Sequence, residues 1–219
     1  MDCSACVILG VSCNGIDLSY PLNDTTIFWP GGEKFKLCME CSVSPEFGYD
    51  YAAGVFSCAE HGGTHVDAPF HFAKDGITVD MIPLSDLMGP CRVIDISDKC
   101  SLEDPNYVLS EQDILTHEAA HGAIDPGTIV LVRTGWSQYW ASGPKAYLGF
   151  DEKTDGPYDS ATSKLAFPGL SVEASHWFVD RKVAAVGLDT GEFVLLFFSI
   201  SHAANTAHVP AFPITLSCI

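Results

Sequence analysis

Two short runs of residues constrain what this chain can fold into. Thr128-Ile129-Val130-Leu131-Val132-Arg133 and Val183-Ala184-Ala185-Val186-Gly187-Leu188-Asp189 are almost wholly apolar, with several β-branched residues. A strand with one wet face alternates apolar and polar side chains, whereas a strand without alternation belongs inside a sheet covered on both faces. Helix signals lie around these runs. Ser110 reads as an N-cap with Asp113 three residues on, and the helix it opens should reach about His121 and stop at Gly122. Ser171 caps a second helix to about Arg181, with Glu173 in its first turn. Cys91-Arg92-Val93-Ile94-Asp95-Ile96 reads as a further strand, and Asp125-Pro126-Gly127 as a turn. Strands alternating with helices argue for α/β architecture with a mixed sheet.

The 219 residues suit one domain that can bury roughly 70% of its unfolded surface without staples. No repeat, low-complexity tract or linker divides the chain, so residues 16–219 are expected to form a single domain. Residues 1–15 form a separate N-terminal segment, either the remnant of a signal peptide or a first strand. Val7-Ile8-Leu9-Gly10-Val11 supplies a short apolar run, but Asp2 stands where a basic residue would open a leader. Ile16-Asp17-Leu18-Ser19 reads as a short strand ending at Tyr20-Pro21, Thr25 to Gly32 as a loop, and Tyr51 to Glu60 as a strand. Lys and Arg number 11 against 28 Asp and Glu, a net charge of −17. With no basic patch, such a surface repels phosphate backbones and anionic lipid, which argues against nucleic-acid and membrane partners. The longest apolar run, Phe193 to Phe198, is far too short to cross a bilayer.

Nine cysteines include the pairs Cys3–Cys6 and Cys38–Cys41. A four-thiolate zinc site is less favoured than scattered free thiols, because the pairs lie far apart and one sits near the terminus. The compartment stays open between secreted and cytoplasmic; the cysteines and the sequon Asn23-Asp24-Thr25 lean towards secretion.

Chemistry concentrates in one segment, His61-Gly62-Gly63-Thr64-His65-Val66-Asp67-Ala68-Pro69-Phe70-His71. On a straight strand His61 and His71 would stand ~33 Å apart at ~3.3 Å per residue, so no single ion could collect them. Gly62-Gly63 and Pro69 let the chain fold back. His65 and Asp67, two residues apart, share one face of a short extended piece, and His61 joins them if the Gly-Gly step turns sharply. Two imidazoles and a carboxylate leave an open position, which is the arrangement of a catalytic zinc or manganese site.

The pattern His-x-Gly-Thr-His-x-Asp-x-Pro-x-His resembles the signature of the cyclase-like metal hydrolases, which include bacterial-type kynurenine formamidases and isatin hydrolases. Further landmarks are similar: Asp17-Leu18-Ser19 with Pro21, Trp29-Pro30-Gly31, Pro126-Gly127 leading to Val130–Trp136, Phe167-Pro168-Gly169-Leu170-Ser171, and Val186-Gly187-Leu188-Asp189-Thr190. The resemblance implies a swivelling β/β/α fold and hydrolysis of an aryl amide, N-formylkynurenine or a cyclic relative. It implies that His61, His65 and Asp67 hold a first divalent ion, that Asp67 can bridge to a second, and that His71 moves the proton. It also implies that Trp29 lines the substrate pocket and that the chain forms a homodimer with the pocket near the interface.

From about residue 191 the chain departs from the pattern. His202 matches a late His ligand of the second ion, but Pro213 stands where the family has a Glu. The expectation is therefore one or two ions. The alternative function is a relative that binds metal or a small molecule after losing the second half of its site. Two other histidine signals compete with the cluster. His117-Glu118-Ala119-Ala120-His121 matches the HExxH of zincins, but Gly122 ends that helix and no third ligand follows, so it reads as a helix end. His176 reads as a surface residue, and Trp136, Tyr139 and Trp140 as core.

Overall fold

A computed structural model describes residues 6–8, 11–13, 16–44, 48–191 and 214–217. The strands in chain order are β1 (Cys6–Ile8), β2 (Val11–Cys13), β3 (Lys36–Ser44), β4 (Tyr49–Ser57), β5 (His65–Asp67), β6 (Cys91–Asp95), β7 (Val108–Leu109), β8 (Ile129–Arg133), β9 (Gly169–Leu170), β10 (Ala185–Leu188) and β11 (Ile214–Ser217). The helices are α1 (Glu111–His121), α2 (Pro144–Leu148), α3 (Glu152–Asp155) and α4 (Val172–Arg181). Five strands form the main sheet in the order β5-β11-β10-β8-β6. β6, β8, β10 and β11 run parallel, and β5 closes one edge antiparallel to β11. This is the mixed α/β sheet expected.

The two apolar runs occupy the middle of that sheet as β8 and β10. Their register places Val186 beside Val130 and Leu188 beside Val132. These four residues are buried, with Ile94 from β6, beneath Ile114 of α1 and Ala174 and Phe178 of α4. Burying each large aliphatic or aromatic side chain contributes about 1.5–3 kcal/mol, so this layer is the main source of stability in the described residues.

Both helix starts form as the sequence predicts. Ser110 Oγ accepts from the Asp113 N–H, and the Asp113 carboxylate accepts from the Ser110 N–H at 2.9 Å, a reciprocal capping box. Two orphan N–H groups are satisfied in this way. Ser171 Oγ accepts from the Ala174 N–H at 3.1 Å and opens α4. Asp113 also receives Lys99 and the Tyr107 hydroxyl. Burial would push its carboxyl up, but the hydrogen bonds from Lys99, Ser110 and Tyr107 outweigh burial and hold it at about 2.

Three expectations need correction or completion. Ile16–Ser19 is not a strand; the Asp17 carboxylate instead accepts from the Ser19 N–H at 2.9 Å, a local turn that competes with extended pairing. The strand expected from Tyr51 to Glu60 is β4, which begins two residues earlier and pairs with β3 in a long hairpin. The loop from Thr25 to Gly32 is irregular as expected, apart from one bridge between Phe28 and Gly62.

Among the described side chains, Cys38, Cys58, Cys91 and Cys100 are free thiols, which favours the scattered-thiol reading. Burial, helped by nearby carboxylates such as Asp189 and Asp104, pushes the Cys100 thiol up to about 12. Trp136 is buried, with Tyr139 and Trp140 packed around it in a second core cluster, as expected. Among the described residues, no helix is long and apolar enough to cross a membrane.

Candidate metal centre

The histidine cluster folds back as its glycines and proline require. Gly63 adopts φ +62°, a left-handed conformation that costs a glycine nothing. Its N–H donates to the Ile27 carbonyl at 3.0 Å, while the Trp29 N–H donates to the His61 carbonyl at 2.9 Å. The turn is thereby stitched to the segment before it. Gly62 lies directly on the Phe28 ring; a Cβ there would come within 2.0 Å of Phe28 Cδ1. After the turn, β5 carries His65 and Asp67 on one face of an edge strand. Pro69 then opens a short 3₁₀ turn, Pro69–His71, which reverses the chain and returns His71 towards the cluster.

His61, His65 and Asp67 converge, with one ligand atom from each lying within 4.8 Å of the others. His61 Nδ1 is 2.9 Å from Asp67 Oδ1, and His65 Nε2 is 3.5 Å from the same oxygen. The Asp67 carboxylate is almost fully buried. Burial would push the carboxyl up, but the hydrogen bond from His61 and the charges of His65, His61 and His71 prevail and hold it below its ordinary value. His65 Nδ1 lies 3.0 Å from the Gly63 carbonyl, which can only accept. Nδ1 therefore donates to that carbonyl, and Nε2 is the nitrogen turned towards Asp67. This is how a metal-bound imidazole is oriented by the group behind it. Two part-buried imidazoles and one buried carboxylate fit a divalent ion of the zinc or manganese class.

His71 stands beside this set, its ring centroid 4.0 Å from that of His61 at a tilt of 36°. Burial, reinforced by His61, lowers its pKa, with Asp67 acting in the opposite direction. The lowering favours the neutral ring, the form that can accept a proton. Trp29 is half-buried and lines a recess together with Phe28, His61, His65, Tyr147 and Leu148. Its edge meets Tyr158 at 6.3 Å between centroids. The structure thus brings His61, His65, Asp67, His71 and Trp29 into one neighbourhood. His202 and Pro213 lie outside the described residues, as do Glu192 and His208.

Sequence reasoning missed several supports of the site. Thr64 Oγ1 accepts from the Tyr20 N–H at 2.9 Å, pinning the preceding segment to the turn. Gly76 packs against the Pro69–Phe70 peptide, where an added Cβ would meet the Pro69 carbonyl carbon at 2.5 Å. The Phe70 N–H donates to the Ile77 carbonyl at 3.1 Å, closing the same loop. A lone Thr or Gly carries no periodic or motif signal, so only the fold reveals these roles.

The HExxH pair gathers no third ligand; among the described residues, His61, His65 and Asp67 form the one group of three or more candidate ligands. Glu118 is engaged structurally, accepting from the Ile124 N–H at 2.7 Å and pairing with Arg181 at 3.4 Å. Burial, with His121 and Arg92, lowers the pKa of His117. His176 is exposed, as expected.

Fold and site define an α/β protein with a two-histidine, one-aspartate pocket at the edge of its main sheet. The chain belongs to the Cyclase family, whose model matches residues 16–193. An isatin hydrolase of Roseibium aggregatum is 32% identical over 173 residues, which are 74% of this chain and 59% of that protein. A kynurenine formamidase of Bacillus mycoides is 32% identical over 150 residues, covering 66% of this chain and 71% of that protein. Among solved structures, isatin hydrolase A of Labrenzia aggregata bound to benzyl benzoate matches with a TM-score of 0.71 at 28% identity. That match covers 93% of this chain and 79% of the other. Isatin hydrolase A of Ralstonia solanacearum matches with a TM-score of 0.70 at 26% identity, covering 93% of this chain and 78% of its own.

Proposed function

We propose that this chain is a metal-dependent hydrolase of an aryl amide, acting on N-formylkynurenine or on a cyclic amide of the isatin kind. The observation that carries this reading is the convergence of His61, His65 and a buried Asp67 beside His71. A divalent ion of the zinc or manganese class held by the three ligands would polarise the amide carbonyl and lower the pKa of water towards ~7. His71 sits where it can accept a proton and return it to the departing aryl amine. Trp29, which lines the recess beside His61 and His65, is the residue proposed to meet the substrate ring. His61 and Asp67 hold one another, so the carboxylate stays ionised and ready for a cation.

Elemental analysis of the purified chain, run beside an absorbance assay of N-formylkynurenine and isatin hydrolysis, tests this reading. The expected result is one or two ions per chain with turnover of at least one amide; two ions would bring His202 into the ligand set. Absence of bound metal after reconstitution would sink it. A second reading, a metal-binding relative without turnover, is favoured by Pro213 in place of the family Glu. Bound metal with neither amide hydrolysed supports that reading.

A homodimer belongs to the same proposal. Leu37, Met39, Val55 and Phe56 on the β3–β4 hairpin are each at least half exposed, as are Val79, Met81 and Leu84. An isolated two-stranded hairpin is marginal in water, and exposed apolar side chains in such numbers mark an interaction surface. Sedimentation of Val55→Asp and of the parent chain checks this; two identical monomers would refute it.

A further inference from the structure

We infer that the last turn of α1 carries a second metal site, a two-imidazole chelate of His117 and His121 that takes a late first-row divalent cation such as Ni2+ or Cu2+. The two residues are four apart on a helix, so their side chains stand one above the other on one face. The ring centroids are 4.7 Å apart with the planes tilted by 40°. His117 Nε2 is buried and has no hydrogen-bond partner among the described residues. A buried nitrogen left without a partner costs free energy that a ligand recovers.

The surroundings suit a cation. α1 ends at Gly122, and the carbonyl end of a helix carries partial negative charge. The chain as a whole carries a net charge of −17, which raises the local concentration of cations. Glu118, the residue between the pair in the HExxH pattern, is held away by Ile124 and Arg181 and leaves the two imidazoles as the protein ligands. Two neutral imidazoles with water completing the shell favour copper and nickel over magnesium or calcium. Arg92 acts on His117 and opposes an added positive charge, so the site belongs to the exchangeable kind and not to closed structural sites. It shares no residue with the His61–His65–Asp67 centre.

Equilibrium dialysis of the full chain against Ni2+, with thiols kept reduced, tests the inference. The parent chain is expected to bind one more Ni2+ than either His117→Gln or His121→Gln, or to bind that ion at least tenfold more tightly. His121 is exposed, so His121→Gln keeps the fold, which the melting temperature of the metal-free chains verifies. Ni2+ number and affinity unchanged in His121→Gln would overturn the inference, because the partly buried His117 alone is no chelate.

Discussion

Gly62→Ala isolates the steric condition on which the metal centre depends. Gly62 shows no positive φ, so alanine can adopt its backbone, and the substitution tests space alone. The new Cβ would lie 2.0 Å from Phe28 Cδ1, 2.4 Å from Cε1 and 2.6 Å from Cγ. Comfortable carbon–carbon contact begins near ~3.5 Å, so the two segments must part by about 1.5 Å. Phe28 is 2% exposed and its ring cannot swing into solvent. Parting the segments breaks the bonds from Trp29 N–H to the His61 carbonyl and from Gly63 N–H to the Ile27 carbonyl. Overpacking costs about 1–3 kcal/mol and each of the two lost hydrogen bonds about 0.5–1.5 kcal/mol, which together give a destabilisation of about 2–6 kcal/mol. For a chain of this length that lowers Tm by roughly 4–24 °C. Metal–nitrogen bonds tolerate far less than the displacement His61 would suffer, so metal affinity should fall about 10- to 100-fold. Differential scanning calorimetry and isothermal titration with Zn2+ measure both. Phe28→Ala removes the obstruction, so the double variant should be less destabilised than the sum of the singles. Wild-type Tm and metal affinity in Gly62→Ala, or strict additivity with Phe28→Ala, would refute the account of the turn.

Three further outcomes are expected. His71→Ala should keep the metal content of the parent and lose most amide turnover, since the residue stands beside the ligand set; unchanged turnover removes it from the proton path. Dipicolinate should lower the Tm of the metal-loaded parent by several degrees and leave Asp67→Ala unmoved, because an ion bound only by the folded state stabilises it by mass action; equal shifts would show that Asp67 is no ligand. Asp113→Asn should cost about 1–2 kcal/mol at neutral pH, discounted for the half-exposed Lys99 partner. The folded carboxyl lies at about 2 against an unfolded value of 3.8, so its contribution is complete above the unfolded value and lost as pH falls through about 2. Urea unfolding at pH 7, 4 and 2.5 should show the gap between parent and variant narrowing only in the last step.

Local chemistry is legible in the sequence itself. The caps at Ser110 and Ser171 act within three residues of themselves, and the apolar runs of β8 and β10 carry their burial in their own composition. The candidate ligands His61, His65 and Asp67, with His71 beside them, are legible for the same reason, since they are neighbours in sequence and the bends between them are written in glycine and proline. What the sequence hides depends on residues far apart. The β3–β4 hairpin has no short turn signal and no clean alternation, because apolar side chains such as Leu37, Met39, Val55 and Phe56 stay exposed on it and follow no single buried face. Ile16–Ser19 has the composition of a strand, yet the local turn of Asp17 and the bond from Tyr20 to Thr64 draw it elsewhere.

The position of β5 explains why ligand identity is plain in the sequence and ligand placement is not. His65 and Asp67 occupy an edge strand whose strand neighbour, among the described residues, is β11, with Thr215 opposite Asp67 and Ser217 opposite His65. A short edge strand is held in register by its neighbour. The placement of His65 and Asp67 in the candidate centre therefore depends on residues 214–217, which lie beyond the stretch matched by the family, residues 16–193. Loss of β11 from the sheet would therefore release the His65–Asp67 pair that a candidate single ion requires.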